Sequence, residues 1–574
     1  MNTLIENIKS KIILNKWMLG LIFFVICLIL YLYILTRIRV KYSLTQYLGD
    51  HLESRLIEAG VPLQIPIEGE GVYTDTLLLR FYADLSFQPA WINNKGPIAT
   101  ADSLIEAIQL AKHEGLESDH YHLKTIRTLL DSVRAHKKNK IPFDIQLLSD
   151  LELLLTDAFL LYGSHLLSGH IDPETIDPAW MNRYQESDMT ETLNQALDEK
   201  RIQRVLFNLL PSFYHYGLLR DELGRYKSVA WRGGWPIIPV GPTIQMGDEG
   251  YRVAALRARL MTTGDFQPET IGENPIYDST LVEVVRRFQK RHHLNENGTV
   301  DYPTRRIMNQ PALHYVRILS ANMERWRWLP RDLGDRYILV NIAAFEMQVV
   351  EFGETVLKMP VVVGKDYRQT PVFSGNMNHL VFNPYWNVPS TIARKDILPK
   401  VKADPNYLTS RNFEVFPGWS SNTPINPDSI DWVSLTQDSL PYRFRQDPGK
   451  LNSLGRIKFI FPNKYDVYLH DTPDRIHFKR RERAYSSGCI RLEDPVALAE
   501  YVLRGNPEWN LNKIQSVLES LENKTVKLDE PIPVYIFYCT TWADEDGTIH
   551  YLRDIYERDV ILENAMRREA FLPY

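Results

Sequence analysis

"RYILVNIAAFEMQVVEFGETVLKMPVVVGK" (Arg336–Lys365) alternates apolar and polar residues on both sides of Gly353. That is the pattern of a β-hairpin with one buried face. Aromatic and β-branched runs continue it in "HLVFNPYWNVP" (379–389), "GRIKFIFPNKYDVYLHDTP" (455–473) and "PIPVYIFYCTTWADEDGTIHYL" (531–552). Residues 315–574 therefore read as a mostly-β domain. Between these runs, 391–450 is polar and turn-rich ("VKADPNYLTSRNF", "SNTPINPDS"), which suits an inserted flap capping a site. Asp544 and Asp546 in "DEDG" lack the spaced ligands and closing glutamate of a calcium loop, so a hairpin turn is expected there.

Upstream the periodicity changes. Residues 243–311 carry two helical stripes, Val253, Leu256, Leu260 and Leu281, Val285, Phe288, followed by an Asn297-Gly298 turn. Three short helices forming a small module are expected. "VAWRGGWPIIPVGP" (229–242) is a Gly- and Pro-rich connection. Residues 45–240 read as helix. In "DSLIEAIQLAKHEG" Asp102 or Ser103 is a candidate cap and Gly115 a stop. "IQLLSDLELLLTDAFLLYGSHLL" (145–167) is apolar on nearly every side and is expected to be the central helix of this region.

"WMLGLIFFVICLILYLYIL" (17–35) holds 19 residues without a charge, about the length that spans a roughly 30 Å hydrocarbon layer. No small-residue cleavage site follows it, so an uncleaved transmembrane anchor is expected, with 1–16 as a tail. Lys9, Lys11 and Lys16 on one side balance Arg37, Arg39 and Lys41 on the other, so charge does not orient it. The architecture expected from sequence is thus multidomain α+β: anchor, helical scaffold, three-helix module and mostly-β domain.

A length of 574 residues calls for several domains. The composition, 44% apolar and 24% charged, is that of a folded protein, and a net charge of −5 gives no footprint for nucleic acid. Three cysteines, Cys27, Cys489 and Cys539, support neither a zinc ribbon nor a disulfide framework. A single Cys489–Cys539 bridge stays open at this stage.

The chemistry-bearing stretch is "AYSSGCIRLEDP" (484–495), with His470 nineteen positions before Cys489. A cysteine is nucleophilic as thiolate, and a nearby histidine can take its proton to form a thiolate–imidazolium pair. The amides around Gly488 and Cys489 are candidate oxyanion donors, and Ser486 and Ser487 either support the thiolate or close the turn. If "CIRLE" is extended, Arg491 shares a side with Cys489 and is a candidate carboxylate clamp. Tyr468, two before His470, should share its face, and Trp386 is a candidate groove residue. His477 with His470 and Cys489 lacks a fourth ligand, so no metal is expected.

"HDTP" (470–473) followed by "SSGCIR" (486–491) resembles the signature of the L,D-transpeptidases. The resemblance extends to "RWRWLPRDLGDRYILVNI" (325–342), "VVVGKDYRQTPVFSG" (361–375), "VFNPYWNVP" (381–389), "DPGKLNSLGRIKF" (447–459) and "TTWADEDG" (540–547). Residues 243–311 resemble a peptidoglycan-binding module, through Gly247-Asp248, Gly250, "RRFQ" ending at Gln289, and "NGTVDYPT" ending at Thr304. The chain is most similar to the large, membrane-anchored branch of the family. Two positions depart from the broader pattern: Ser487, where histidine is common, and Glu493, where asparagine is common.

The resemblance implies a cofactor-free enzyme with Cys489 as nucleophile and His470 as base and later acid. It implies release of D-alanine from tetrapeptide stems through a thioester, 3→3 cross-linking of the wall, and acylation of Cys489 by carbapenems. The C-terminal bulk is then expected on the outer, periplasmic side of the cytoplasmic membrane, with stem peptides and other wall-synthesis proteins as partners. Cys539 is expected in a strand, buried and unpaired. A wall-binding protein without catalysis, or a cysteine endopeptidase or amidase, are the alternatives.

Overall fold

The computed structural model describes residues 17, 18, 20, 21, 23–29, 43–176, 187–267, 276–544 and 546–568. The expected tail 1–16 and much of the expected anchor, including 30–35, lie outside them. The described residues between 17 and 29 are helical. Among the described residues no helix is long and apolar enough to cross a membrane. The chain divides into two compact units, Met1–Ile105, His122–Leu160 and Leu197–Arg201 in one and the remainder in the other.

The first unit is helical. Its core gathers Leu48, Leu52, Leu78, Phe81, Trp91, Ile126 and Leu151. Helix Ile145–Ser168 is buried along nearly its whole length, as its apolar run predicts. The predicted helix near Asp102 instead starts at Ala99. Asp102 is no cap; it pairs with Arg134 at 2.6 Å. The first unit also encloses a charged cluster in which His122 Nε2 meets the Asp157 carboxylate at 2.8 Å and Nδ1 meets Glu70. Burial works against a charged imidazole, but the two carboxylates prevail and raise His122 to about 9. A raised histidine pKa contributes stability fully present below the unfolded value of 6.5 and lost as pH rises through about 9. Thermal melts between pH 7 and 10 should therefore show this unit weakening; a pH-independent midpoint contradicts the ion cluster.

In the second unit, helices Tyr251–Thr262, Ser279–Arg291 and Tyr302–Met308 form the three-helix module. Both predicted stripes pack into one core with Val253, Leu256, Leu281 and Phe288. Asp278 and Asp301 cap the second and third helices by accepting from Leu281 N and Thr304 N. Buried Gln289 knits the Asn297-Gly298 turn, accepting from Gly298 N at 2.9 Å and donating to Asn297 Oδ1 at 2.9 Å.

Helix Ala312–Arg327 leads into the β domain and holds a buried ion network. Arg327 meets Glu324 at 2.7 Å with both side chains fully enclosed, and also donates to Tyr216 Oη at 3.1 Å. Glu324 accepts in turn from Ile171 N at 2.7 Å. Removing one member of such a network strands the other charge without solvent. Arg327→Met should cost about 3–5 kcal/mol, read as a lower denaturation midpoint. A loss below about 1 kcal/mol would mean that the network contributes only like a surface pair.

Among the described residues the strands, in chain order, are two in the first unit, β1 (Ile92–Asn93) and β2 (Gly96–Pro97), and fourteen in the second. These are β3 (Arg336–Asn341), β4 (Glu346–Glu351), β5 (Glu354–Gly364), β6 (Phe373–Phe382), β7 (Trp386–Asn387), β8 (Phe413–Pro417), β9 (Tyr442–Gln446), β10 (Ile457–Ile460), β11 (Leu469–His470), β12 (Ala484–Ser486), β13 (Ile490–Leu492), β14 (Lys524–Phe537), β15 (Thr541–Ala543) and β16 (Ile549–Tyr551). The main sheet runs β12-β5-β13-β11-β10-β6-β14-β3-β4. Long β5 pairs with β4 through its first half and with β13 through its second, closing the sheet on itself. Gly353 has φ +85 and makes the β4–β5 turn, as the opening stretch predicts.

The polar segment 391–450 is a folded element. Strands β7, β9 and β8 form a small sheet over a core of Val388, Ile397, Leu398, Phe413 and Phe444. β15 and β16 pair across "DEDG", where Gly547 N donates to Asp544 O at 2.9 Å, so the predicted hairpin forms. Among the described residues no cluster suited to a metal is found.

Candidate active site

His470 ends β11, and Cys489 immediately precedes β13. The two strands run parallel with Leu469 opposite Ile490 and His470 opposite Arg491. Side chains alternate along a strand, so Tyr468, His470, Cys489 and Arg491 point to one face. Eighteen residues of connection thus return Cys489 to within one diagonal step of the histidine.

The turn before Cys489 is held from two sides. Gly488 has φ +115, which L side chains rarely adopt, so only glycine fits without strain. The Ser486 hydroxyl donates to Cys489 O at 2.5 Å and accepts from Gly488 N at 3.1 Å. Thr370 donates to Gly488 O at 2.9 Å while accepting from Gly364 N at 2.9 Å, which ties the turn to the end of β5. These bonds correct the oxyanion expectation. The Gly488 amide is already committed to Ser486, whereas among the described residues the Cys489 amide has no such bond. Ser486 closes the turn.

Ser487 takes neither predicted role. Its hydroxyl accepts from Arg368 at 2.9 Å, and Arg368 also pairs with Asp396 at 2.5 Å, in the flap. Trp386 is also corrected. It is 8% exposed and belongs to the flap core beside Val388 and Phe413 rather than to a groove.

His470 is enclosed, 4% exposed, and its Nδ1 lies 2.5 Å from Asp471 O. A carbonyl only accepts, so Nδ1 carries the proton and Nε2 the lone pair of the neutral ring. Burial and the Arg491 cation push His470 down to about 3, against the upward pull of the Asp471 carbonyl. The Asp471 side chain accepts from Arg456 N at 2.8 Å and Thr472 N at 2.7 Å and pairs with Arg475, which fixes the segment after the histidine. Gly455 is required beside it, because a Cβ there would sit 2.3 Å from Asp471 Cγ.

Cys489 is half-buried and free. Burial pushes its thiol up, opposed by hydrogen bonds from the Tyr468 backbone and hydroxyl and by the Lys458 and Arg491 cations. The resting pair is therefore a neutral thiol and a neutral imidazole, not the expected thiolate–imidazolium. Arg491, half-buried, reaches Asp474 only at 3.5 Å. Cys539 is also free and is buried, as expected, but it lies just beyond β14 rather than within it. It donates to Thr541 O at 3.0 Å, and burial pushes it up to about 12. Glu493 bonds through its backbone, its amide donating to Pro360 O at 3.2 Å and its carbonyl accepting from Arg475.

Sequence reasoning missed Lys458, Thr370, Arg368 and Asp471. All four lie in stretches that carry the resemblance, but only strand pairing brings them to the cysteine.

The comparisons agree with this arrangement. Residues 76–223 match the family profile "Scaffold domain", 249–308 match "Putative peptidoglycan binding domain", and 335–513 match "L,D-transpeptidase catalytic domain". A Haemophilus influenzae protein named "Putative L,D-transpeptidase" is 35% identical over 284 residues, 50% of this chain. The match spans 56% of that relative's length. Among solved structures, an L,D-transpeptidase from Stackebrandtia nassauensis is 13% identical, with 53% of this chain and 96% of that one covered and a TM-score of 0.20. L,D-transpeptidase 3 from Mycobacterium tuberculosis is 13% identical, with 35% and 61% covered and a TM-score of 0.18. At such scores these superpositions carry no argument. On these matches the chain carries an L,D-transpeptidase catalytic domain at 335–513 beside a peptidoglycan-binding domain at 249–308, and it spans about half the length of the curated relative it matches.

Proposed function

We propose that this protein is a membrane-anchored L,D-transpeptidase that makes 3→3 cross-links in peptidoglycan. The observation that carries the reading is the parallel pairing of β11 with β13, which sets His470 and Cys489 on one face with Nδ1 committed to Asp471 O. A neutral imidazole with its lone pair on Nε2 is the protonation state a general base needs.

In the proposed reaction, His470 takes the thiol proton as Sγ attacks the carbonyl joining the diamino acid to D-alanine. The developing oxyanion is met by the Cys489 amide. The C–N bond then breaks, His470 returns the proton to the departing amine of D-alanine, and a thioester remains. The side-chain amine of a second stem attacks it, passing a proton through His470, and Cys489 is regenerated. No metal or organic cofactor enters any step. Arg491, beside both reacting groups, would hold a stem carboxylate. The module at 249–308 would keep the enzyme on the wall, and the apolar run at 17–35 would anchor it, with the catalytic domain outside the cytoplasmic membrane.

The test is incubation of the protein with a disaccharide-tetrapeptide, followed by mass spectrometry. Loss of D-alanine with a cross-linked dimer supports the reading. Loss without a dimer under excess acceptor would restrict it to carboxypeptidase chemistry. Cleavage of preformed cross-links, with tetrapeptide stems untouched, would replace it by an endopeptidase.

A further inference from the structure

We propose that Lys458 is a positioning residue for the nucleophile: its ammonium, seated on the Tyr468 ring, holds that phenol against Cys489 and adds the positive charge that favours the thiolate. Lys458 lies on β10 directly opposite His470 across an antiparallel pair. Paired residues share a face, so Lys458 joins the face of Tyr468, His470 and Cys489. Its Nζ is 3.7 Å from the Tyr468 ring centroid. A cation at that distance from a partly desolvated ring is bound well enough to fix the ring's orientation. Tyr468 shares the face of Cys489, and its hydroxyl counters the upward push of burial on that thiol. The series Lys458–Tyr468–Cys489 thus links a charge on one strand to the sulfur two strands away.

The charges around this series decide its sign. Arg491 on β13 is the other cation facing the sulfur. The Asp466 carboxylate acts on both Lys458 and Tyr468. On the far side of β10, β6 and β14 present His379 and Lys527, and burial together with Lys458 and Lys527 pushes His379 down. His470 is neutral. Lys458 and Arg491 are thus the two cations acting on the sulfur, and Arg491 already has Asp474 at 3.5 Å, so removing Lys458 takes away the cation that is not paired to Asp474. A thiol placed among apolar neighbours resists ionisation, so a loss of positive charge there is felt directly.

This inference rests on the transpeptidase reading for its purpose, but its test needs no wall peptide. The full chain is alkylated with iodoacetamide between pH 6 and 10, and modification is followed on the Cys489 peptide by mass spectrometry. Lys458→Met should move the midpoint up by about one unit and slow alkylation below it about tenfold. Lys458→Arg, which keeps the charge, should restore most of the native profile, a rescue that a purely structural role for the side chain does not predict. Lys458→Gln is run beside Met so that a folded neutral variant, judged by circular dichroism, is in hand. Superimposable profiles for native and neutral variants would overturn the proposal. A negative result would leave the stem assay readable, and a failed stem assay would leave this result standing.

Discussion

Cys489→Ala should release no D-alanine, form no dimer and take up no carbapenem, a fall in turnover of at least about 10⁴-fold. The size follows from the surroundings of the sulfur, because no neighbour can stand in for it. The Ser486 hydroxyl is spent on Cys489 O, the Ser487 hydroxyl on Arg368 and the Thr370 hydroxyl on Gly488 O. The other described thiol of the β domain, Cys539, is enclosed and pushed up to about 12, so it is neither accessible nor ionised. Fold and module should survive, because the Ser486 clamp uses only the backbone of residue 489. The check compares native and variant protein with the disaccharide-tetrapeptide, and intact masses after exposure to a carbapenem. Residual D-alanine release within a hundredfold of native would mean that another residue carries the attack. A carbapenem adduct on the variant would say the same of acylation.

The site was only partly legible in the sequence, and the line falls where local pattern gives way to strand pairing. Arg491 could be placed with Cys489, and Tyr468 with His470, because alternation along a strand is a local property, whereas the joining of the two pairs on one face needed the β11–β13 pairing. The hairpin at Gly353 and the stripes of the three-helix module were legible for the same reason. Lys458 was not, because its position in "RIKF" matters only through a neighbour twelve residues on in the chain and one strand away. The Gly488 amide was misjudged because the competitor for its proton, the Ser486 hydroxyl, is selected by the shape of the turn. Trp386 was misjudged because 391–450 looks polar in sequence yet encloses its own core, into which β7 turns the indole. The neutral resting pair was equally hidden, since it depends on burial, and burial is a property of the assembled sheet.

His470→Gln should lower turnover near neutral pH by about 10²–10⁴-fold, the range of a lost general base. The dependence on pH separates this role from a structural one. In the native protein the imidazole stays neutral down to about 3, so no acid limb should appear near the ordinary histidine value. The rate should instead stay level through neutral pH, because neutral thiol and neutral imidazole are together the reactive pair until the raised thiol ionises. In the variant only thiolate already present can attack, so the gap to native should narrow as pH approaches the thiol's own pKa. A gap constant across pH would assign His470 to shape rather than proton transfer, and a native break near 6.5 would mean that the ring is not held neutral. Stability provides a second reading with a defined sign. Unfolded His470 binds a proton below 6.5, but the folded ring binds one only below about 3. Between those values acid favours the unfolded state, so native stability is lost as pH falls through that window. His470→Gln removes that linkage and should flatten the acid slope while it abolishes the catalytic advantage. A variant that loses activity yet keeps the native acid slope would place the titrating group elsewhere than on His470.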